Sequence, residues 1–394
     1  MQSADSKNKI EKAKDAYSEV PERLRDKVTN SDTLDKATER FAVIDTIKQA
    51  GTKSKDHFDT VLGTLADNNI YPVQSIGGEW SVIALARAGK LSADKAAKYY
   101  SELCDAVKAN GSDRLSDRKP TENARVIIAL SSLGKNSADI AGHNLLSGLD
   151  DMEYITSQGI NAVIFSLIAF DTTDYSAKTH DELIAYIVDN MTGKGWALAG
   201  DTADVDLTAM AIQALAPYAA DEKVNAAIDS GLEFLAESLD ENARYANGSE
   251  STSQVLIALA ALGIDPLTDS RFIVDGITLI DSLESYATEN GYSHTLGGEE
   301  NYMATEQAAL ALTAYELSKD GSSLYEMSAK AEPTEPENPD TPAQPGDSVK
   351  PGDCSGKPED KNDPINPGTG VLVTGGMAVL ISGAVMLISK KKRK

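Results

Sequence analysis

The residues able to do chemistry are few, and most stand singly. Cys104 and Cys354 are the two thiols, and the four histidines, His57, His143, His180 and His294, are scattered along the chain. No set of His, Cys, Asp and Glu has the short spacing of a metal site, so neither a metal nor a cofactor is expected. Cys104 falls in a helical pattern and Cys354 in a proline-rich segment, a placing that argues against a structural disulfide. The carboxylates offer more. Asp204 and Asp206 flank Val205 directly before the apolar run Leu207–Leu215. A carboxylate there can cap a helix N-terminus, for about 1 kcal/mol. It can also act as a general acid if its surroundings raise its pKa.

Such groups need elements to aim them. Six apolar, Ala/Leu-rich segments can be aligned: Trp80–Arg87, Ala124–Leu130, Ala162–Leu167, Thr208–Leu215, Thr252–Leu259 and Thr305–Leu312. They recur at roughly 40–50 residues, the spacing of repeat architectures. Between them lie amphipathic stretches, 55–67, 92–109, 137–150, 178–190, 222–239 and 270–288, whose apolar spacing leaves one face for water. Two helix classes alternating six times predict an all-α fold, an (α/α)6 toroid with apolar helices inside and amphipathic ones outside. Neither ring buries its surface alone, and closing the circle removes exposed ends. Gly89, Gly134 and Gly263, with Pro217 and Pro266, are expected to end helices.

In that arrangement the N-terminal ends of the inner helices converge on one mouth. It carries Glu79, Glu122, Asn123, Asn161, Asp204, Asp206, Ser251, Thr252, Thr305 and Glu306, with Trp196, Tyr245, Tyr292 and Tyr302 on rim loops. A concave mouth with aromatics and convergent polar groups is the default place for a ligand, here a small molecule, a glycan or a surface protein. Helix capping is the alternative use of the same polar residues.

The repeating unit is an aromatic, a Gly/Ser/Asp loop, then Thr-x-x-Ala-h-x-Ala-Leu. It resembles the prenyltransferase and squalene-oxidase repeat of the terpenoid-cyclase toroid superfamily. Gly195-Trp196 with Asp206–Ala216 carries the resemblance best, followed by Tyr245 with Ser251–Leu259 and Gly291-Tyr292 with Ala304–Leu312. The resemblance spans residues 51–328 and implies the toroid. In triterpene cyclases the middle Asp of an Asp-x-Asp-Asp motif protonates an alkene. Asp204-Val205-Asp206-Leu207 matches its first three positions, which would make Asp206 the catalytic acid and Asp204 its neighbour. Prenyl transfer in the superfamily uses a zinc-bound thiolate, and thioester domains use a Cys-Gly-x-x-Gln run; this chain carries neither pattern. Cobalamin carriers with a similar repeat clamp their corrinoid against a following β domain, whereas this chain runs into a proline-rich segment. The expectation is a non-catalytic binding or interaction module. A terpene-cyclase-like enzyme, a cobalamin-carrier-like binder and a structural spacer are the alternatives.

The carboxyl end supplies an address. Residues 329–370 hold nine of the fourteen prolines, so they read as an extended, disordered stalk. Residues 371–389 are nineteen uncharged residues, enough for one transmembrane helix, and Lys390–Lys394 form a basic tail for the cytoplasmic side. Directly upstream stand Asn366, Pro367, Gly368, Thr369 and Gly370. Pentapeptide, apolar span and basic tail together resemble the cell-wall sorting signal of Gram-positive surface proteins. That resemblance implies sortase cleavage at Thr369–Gly370, attachment of Thr369 to peptidoglycan, and display on the extracellular face. Residues 1–50 read as a separate helical segment without an apolar export signal, so further sequence is expected upstream of Met1. A net charge of −24 excludes nucleic acid as a partner, since phosphate binding needs a basic face.

Overall fold

The computed structural model describes residues 4–68, 73–74 and 76–327. These form helices and, among the described residues, no β-strand. An N-terminal group comprises α1 (Ala4–Ser18), α2 (Glu22–Arg25) and α3 (Ser31–Gly51). Then follow α4 (Ser54–Asp67), α5 (Ile76–Arg87), α6 (Ala93–Asn110), α7 (Pro120–Ser132), α8 (Leu145–Leu149), α9 (Met152–Thr156) and α10 (Ile160–Asp171). The chain continues through α11 (His180–Asp189), α12 (Val205–Leu215), α13 (Glu222–Glu237), α14 (Ser249–Ala261), α15 (Leu279–Glu284) and α16 (Tyr302–Ser318).

The six aligned apolar segments all fall on α5, α7, α10, α12, α14 and α16. A helix that is apolar on every side must be surrounded, and these are: every residue of α10 from Ile160 to Phe170 is buried. Each packs on the next, α5 on α7, then α10, α12, α14 and α16, and α16 returns to α5. The cycle closes. Four of the six end alike. The N–H groups of Lys90, Lys135, Ile264 and Ser322 reach back to the carbonyls of Leu85, Leu130, Leu259 and Leu317. Gly89, Gly134, Gly263 and Gly321 take positive φ immediately before, the left-handed step that such a C-terminal cap requires.

Outside the cycle, α4 packs on α5 and α16, α11 on α10, α13 on α12, and α15 on α14. On α6 the buried residues Tyr99, Tyr100, Leu103, Cys104 and Val107 repeat with helical spacing, so one face joins the core. Two expected outer helices are not continuous. In 137–150 a turn at Ala141-Gly142, both at positive φ, leaves only α8, started by the Asn144 side-chain cap. Asp150 is drawn out of helical structure to accept the N–H groups of Lys178 and Thr179. In 270–288 a tight turn at Asp275-Gly276 precedes a Thr278/Asp281 capping box, which starts the short α15. Polar residues that satisfy backbone groups locally break both runs.

Residues of α3 dock on α15, burying Ile44 and Ile47 against Ala243 and Ile277. Gly51 permits that approach: a Cβ there would lie 2.0 Å from Asp281 Oδ1. Cys104 is 3% exposed, on the face of α6 that joins the core. Cys354, the stalk, the sorting pentapeptide and the apolar span 371–389 lie outside the described residues. No described helix is long and apolar enough to cross a membrane.

Candidate ligand-binding site

Aligning the inner helices on their Ala-Leu pair sorts the mouth residues by direction. Thr208, Thr305 and Asn123 occupy one register, and all three hold loops. Thr208 Oγ1 accepts the Trp196 N–H at 3.0 Å, and Thr305 Oγ1 accepts the Tyr292 N–H at 2.9 Å. Asn123 donates to the carbonyls of Asp113 and Leu145 at 2.7 and 2.9 Å and accepts the Leu115 N–H at 2.8 Å. Gly195 and Gly291 are required by this contact, since a Cβ on either would stand 2.3 or 2.4 Å from the threonine oxygen. Trp196 and Tyr292 are consequently fully buried. The indole N–H of Trp196 donates to the Ile187 carbonyl at 2.6 Å, and the Tyr292 hydroxyl donates to Glu284 at 2.6 Å. These rings wedge loop against helix; they do not rim an opening. The third copy departs from the pattern, because Tyr245 is buried and both its hydroxyl and Thr252 Oγ1 lack a hydrogen-bond partner. Tyr302 is 42% exposed, unlike these three rings.

The axis of the cycle is lined by a different register. Asp206, Met210 and Gln213 on α12 follow i, i+4, i+7, as do Met303, Gln307 and Leu310 on α16, with Glu250 and Gln254 on α14. All but Gln213 face a central cavity, joined by Trp80, Phe165 and Tyr325. Trp80 and Phe165 are in ring contact at 5.5 Å. Tyr325 comes from the segment after α16. The cavity measures about 40 Å³, and at roughly 10–15 Å³ per water it holds about three. Asp206 lines it while only 2% exposed, whereas Asp204 is the N-cap of α12 and accepts the Leu207 N–H at 2.9 Å. The two aspartates are thus divided, one capping and one facing the axis. Glu250 is tied to His294 at 2.8 Å.

Where α16 meets α5 and α7, buried charge is concentrated. Arg125, 3% exposed, donates to Glu79 at 2.9 Å and Glu122 at 2.6 Å. Glu79 also accepts from the Tyr99 hydroxyl at 3.1 Å. Burial pushes the Glu79 carboxyl up, with the Arg125 charge opposing. Glu306 is fully buried and has only a Ser81 hydroxyl at 3.4 Å, itself 2.9 Å from the Tyr302 hydroxyl. Burial lifts it well above the carboxylate range, which favours the neutral acid. Asn161 and Ser251 are buried on α10 and α14.

Sequence reasoning places the aromatics Trp80 and Phe165 on the inner helices but missed Met210, Glu250, Gln254 and Gln307 as axis residues. Glutamines inside otherwise apolar runs were the available signal. Among the described residues no cluster of His, Cys, Asp and Glu could hold a metal ion. No family model, no curated protein and no solved structure matches this chain.

Proposed function

We propose that the chain is a non-catalytic binding or interaction module, built as an (α/α)6 toroid with prenyltransferase/squalene-oxidase-like repeats and displayed on a Gram-positive cell surface. The observation that carries the non-catalytic reading is the filled axis. A cavity of about 40 Å³ is an order of magnitude below the ~300–1,000 Å³ of small-molecule pockets, so neither a triterpene nor a corrinoid fits within it. The mouth residues are largely engaged in holding loops, capping α12 and pairing buried charge. That leaves the surfaces of the ring for partners. The order of stalk, pentapeptide, apolar span and basic tail supports anchoring at Thr369.

A terpene-cyclase-like enzyme is the second reading. One observation favours it: Asp206 lines the same cavity as Trp80 and Phe165. Incubation of wild type and Asp206→Asn with squalene-type alkenes separates the two. The module reading predicts no product from either protein, and product formed by wild type and lost in the variant would refute it. Anchoring is tested by digesting purified cell walls and sequencing the released carboxyl-terminal peptide. The expected result is peptidoglycan joined to Thr369, and a chain that retains Gly370 and the apolar span contradicts it.

A further inference from the structure

At the opposite end of the inner helices, where α10, α12, α14 and α16 finish, a second cavity of about 500 Å³ opens. That volume suits a small molecule. Small residues such as Ala214, Ala260 and Gly263 leave the space, while Tyr218 and Tyr325 supply aromatic faces. The polar side chains include Asp171, Gln213 and Glu326. Asp171 is positioned by its neighbours: the Tyr218 hydroxyl donates to its Oδ1 at 2.6 Å, and His180 Nε2 lies 3.0 Å from the same oxygen.

Gln213 points to a ligand independently. Its Nε2 donates to the Gln254 carbonyl at 3.0 Å and to Gln254 Oε1 at 2.9 Å. A backbone carbonyl can only accept, so the amide orientation is settled and Oε1 occupies the other end. That oxygen is buried without a hydrogen-bond partner, on a side chain only 3% exposed that lines the cavity. A buried acceptor left unmade is costly, and a donor brought by a ligand would satisfy it. The charge balance narrows the donor. Asp171 and Glu326 face the space, and the described lining contains no lysine or arginine; the nearby Arg87, whose charge Glu326 feels, donates to the Ser323 carbonyl at 2.8 Å. Lys135, which lines the adjoining cavity beyond Asp171 and Glu326, is engaged over the Tyr100 ring at 4.6 Å.

We propose that this cavity is a second binding site, separate from the mouth, for a small organic amine. Its ammonium group lies between Asp171 and Glu326, against the tyrosine faces, where carboxylates and π-systems both attract a cation. A further N–H or O–H of the ligand donates to Gln213 Oε1.

The test titrates the full chain in detergent with cadaverine, and with pentane-1,5-diol as its uncharged counterpart, by calorimetry. Wild type should bind the diamine at least tenfold more tightly than the diol, with affinity falling as salt rises. Asp171→Asn should weaken the diamine about tenfold, and Gln213→Leu several-fold. Glu326→Gln, at an exposed position, should also weaken binding and keeps the test open if Asp171→Asn does not fold. No binding to wild type overturns the proposal, as does equal affinity for the diol. So does binding that survives these variants but is lost in Asp206→Asn, which would place the amine in the central cavity.

Discussion

Removing Arg125 should be among the most damaging single changes in the protein. Glu79 is fully buried and Arg125 is 3% exposed, so their 2.9 Å contact is shielded from water. At an effective dielectric near 20 the gross attraction at that distance is about 6 kcal/mol. Much of it offsets desolvation, so the pair itself contributes little net. Breaking it is another matter, because Arg125→Met leaves Glu79 with only the Tyr99 hydroxyl and the Gln74 N–H. An uncompensated buried charge costs roughly 3–5 kcal/mol, which for a domain of this size lowers Tm by about 6–20 °C. Glu79→Gln in the same background should recover most of the loss. The defect should also shrink on acidification: burial raises the folded-state pKa of Glu79, so protonation below that value removes the charge that folding must bury. Urea unfolding followed by circular dichroism, for both single variants and the double, completes the cycle. A cost below about 1 kcal/mol, the range of exposed pairs, with no change between acid and alkaline buffer, would refute the reasoning.

Gly195→Ala and Gly291→Ala should each cost about 1–3 kcal/mol by overpacking against Thr208 and Thr305. Adding Thr208→Ala should relieve part of the first, as chemical denaturation would report. Trp196→Ala should lose about 3–5 kcal/mol, whereas Asp204→Ala should lose about 1 kcal/mol as a missing cap and Asp204→Asn almost nothing; thermal unfolding ranks the three. Stability should also have two pH limbs. Glu306 is raised by burial, so its contribution is full below the ordinary carboxylate range and is lost as pH climbs through its folded-state value. Asp151, held down by the Tyr154 N–H and Arg114, and Asp269, held down by Arg271, act oppositely and are lost as pH falls below about 4. Thermal unfolding across pH should peak in mildly acidic buffer, and Glu306→Gln should flatten the alkaline limb. An unchanged limb in that variant would remove Glu306 as its cause.

The inner helices were legible because nothing else explains charge-poor Ala/Leu runs recurring at regular spacing, and glycines such as Gly89, Gly134 and Gly263 mark their ends. The site was less so. A helix that is apolar all round hides which side faces the axis, so Thr252 and Thr305 stood out while Gln254 and Gln307 did not. Trp196 and Tyr292 looked like rim aromatics because a Gly-aromatic loop carries no sign of its burial. The sign was the threonine twelve or thirteen residues later, meeting the backbone at the glycine. The breaks in 137–150 and 270–288 come from contacts such as Asp150 with Thr179 and Thr278 with Asp281, in which polar side chains compete with the helix for backbone donors.

Closure of the ring is most directly measured by one distance. Spin labels at Lys90, just beyond α5, and Lys319, just beyond α16, are both on exposed positions. Neighbouring helices pack at about 8–10 Å between axes, so pulsed dipolar spectroscopy should give a single short separation of that spacing plus the label linkers. Six helices in an open row would place the first and last five spacings apart, about 40–50 Å, and a distance in that range would contradict the closed cycle.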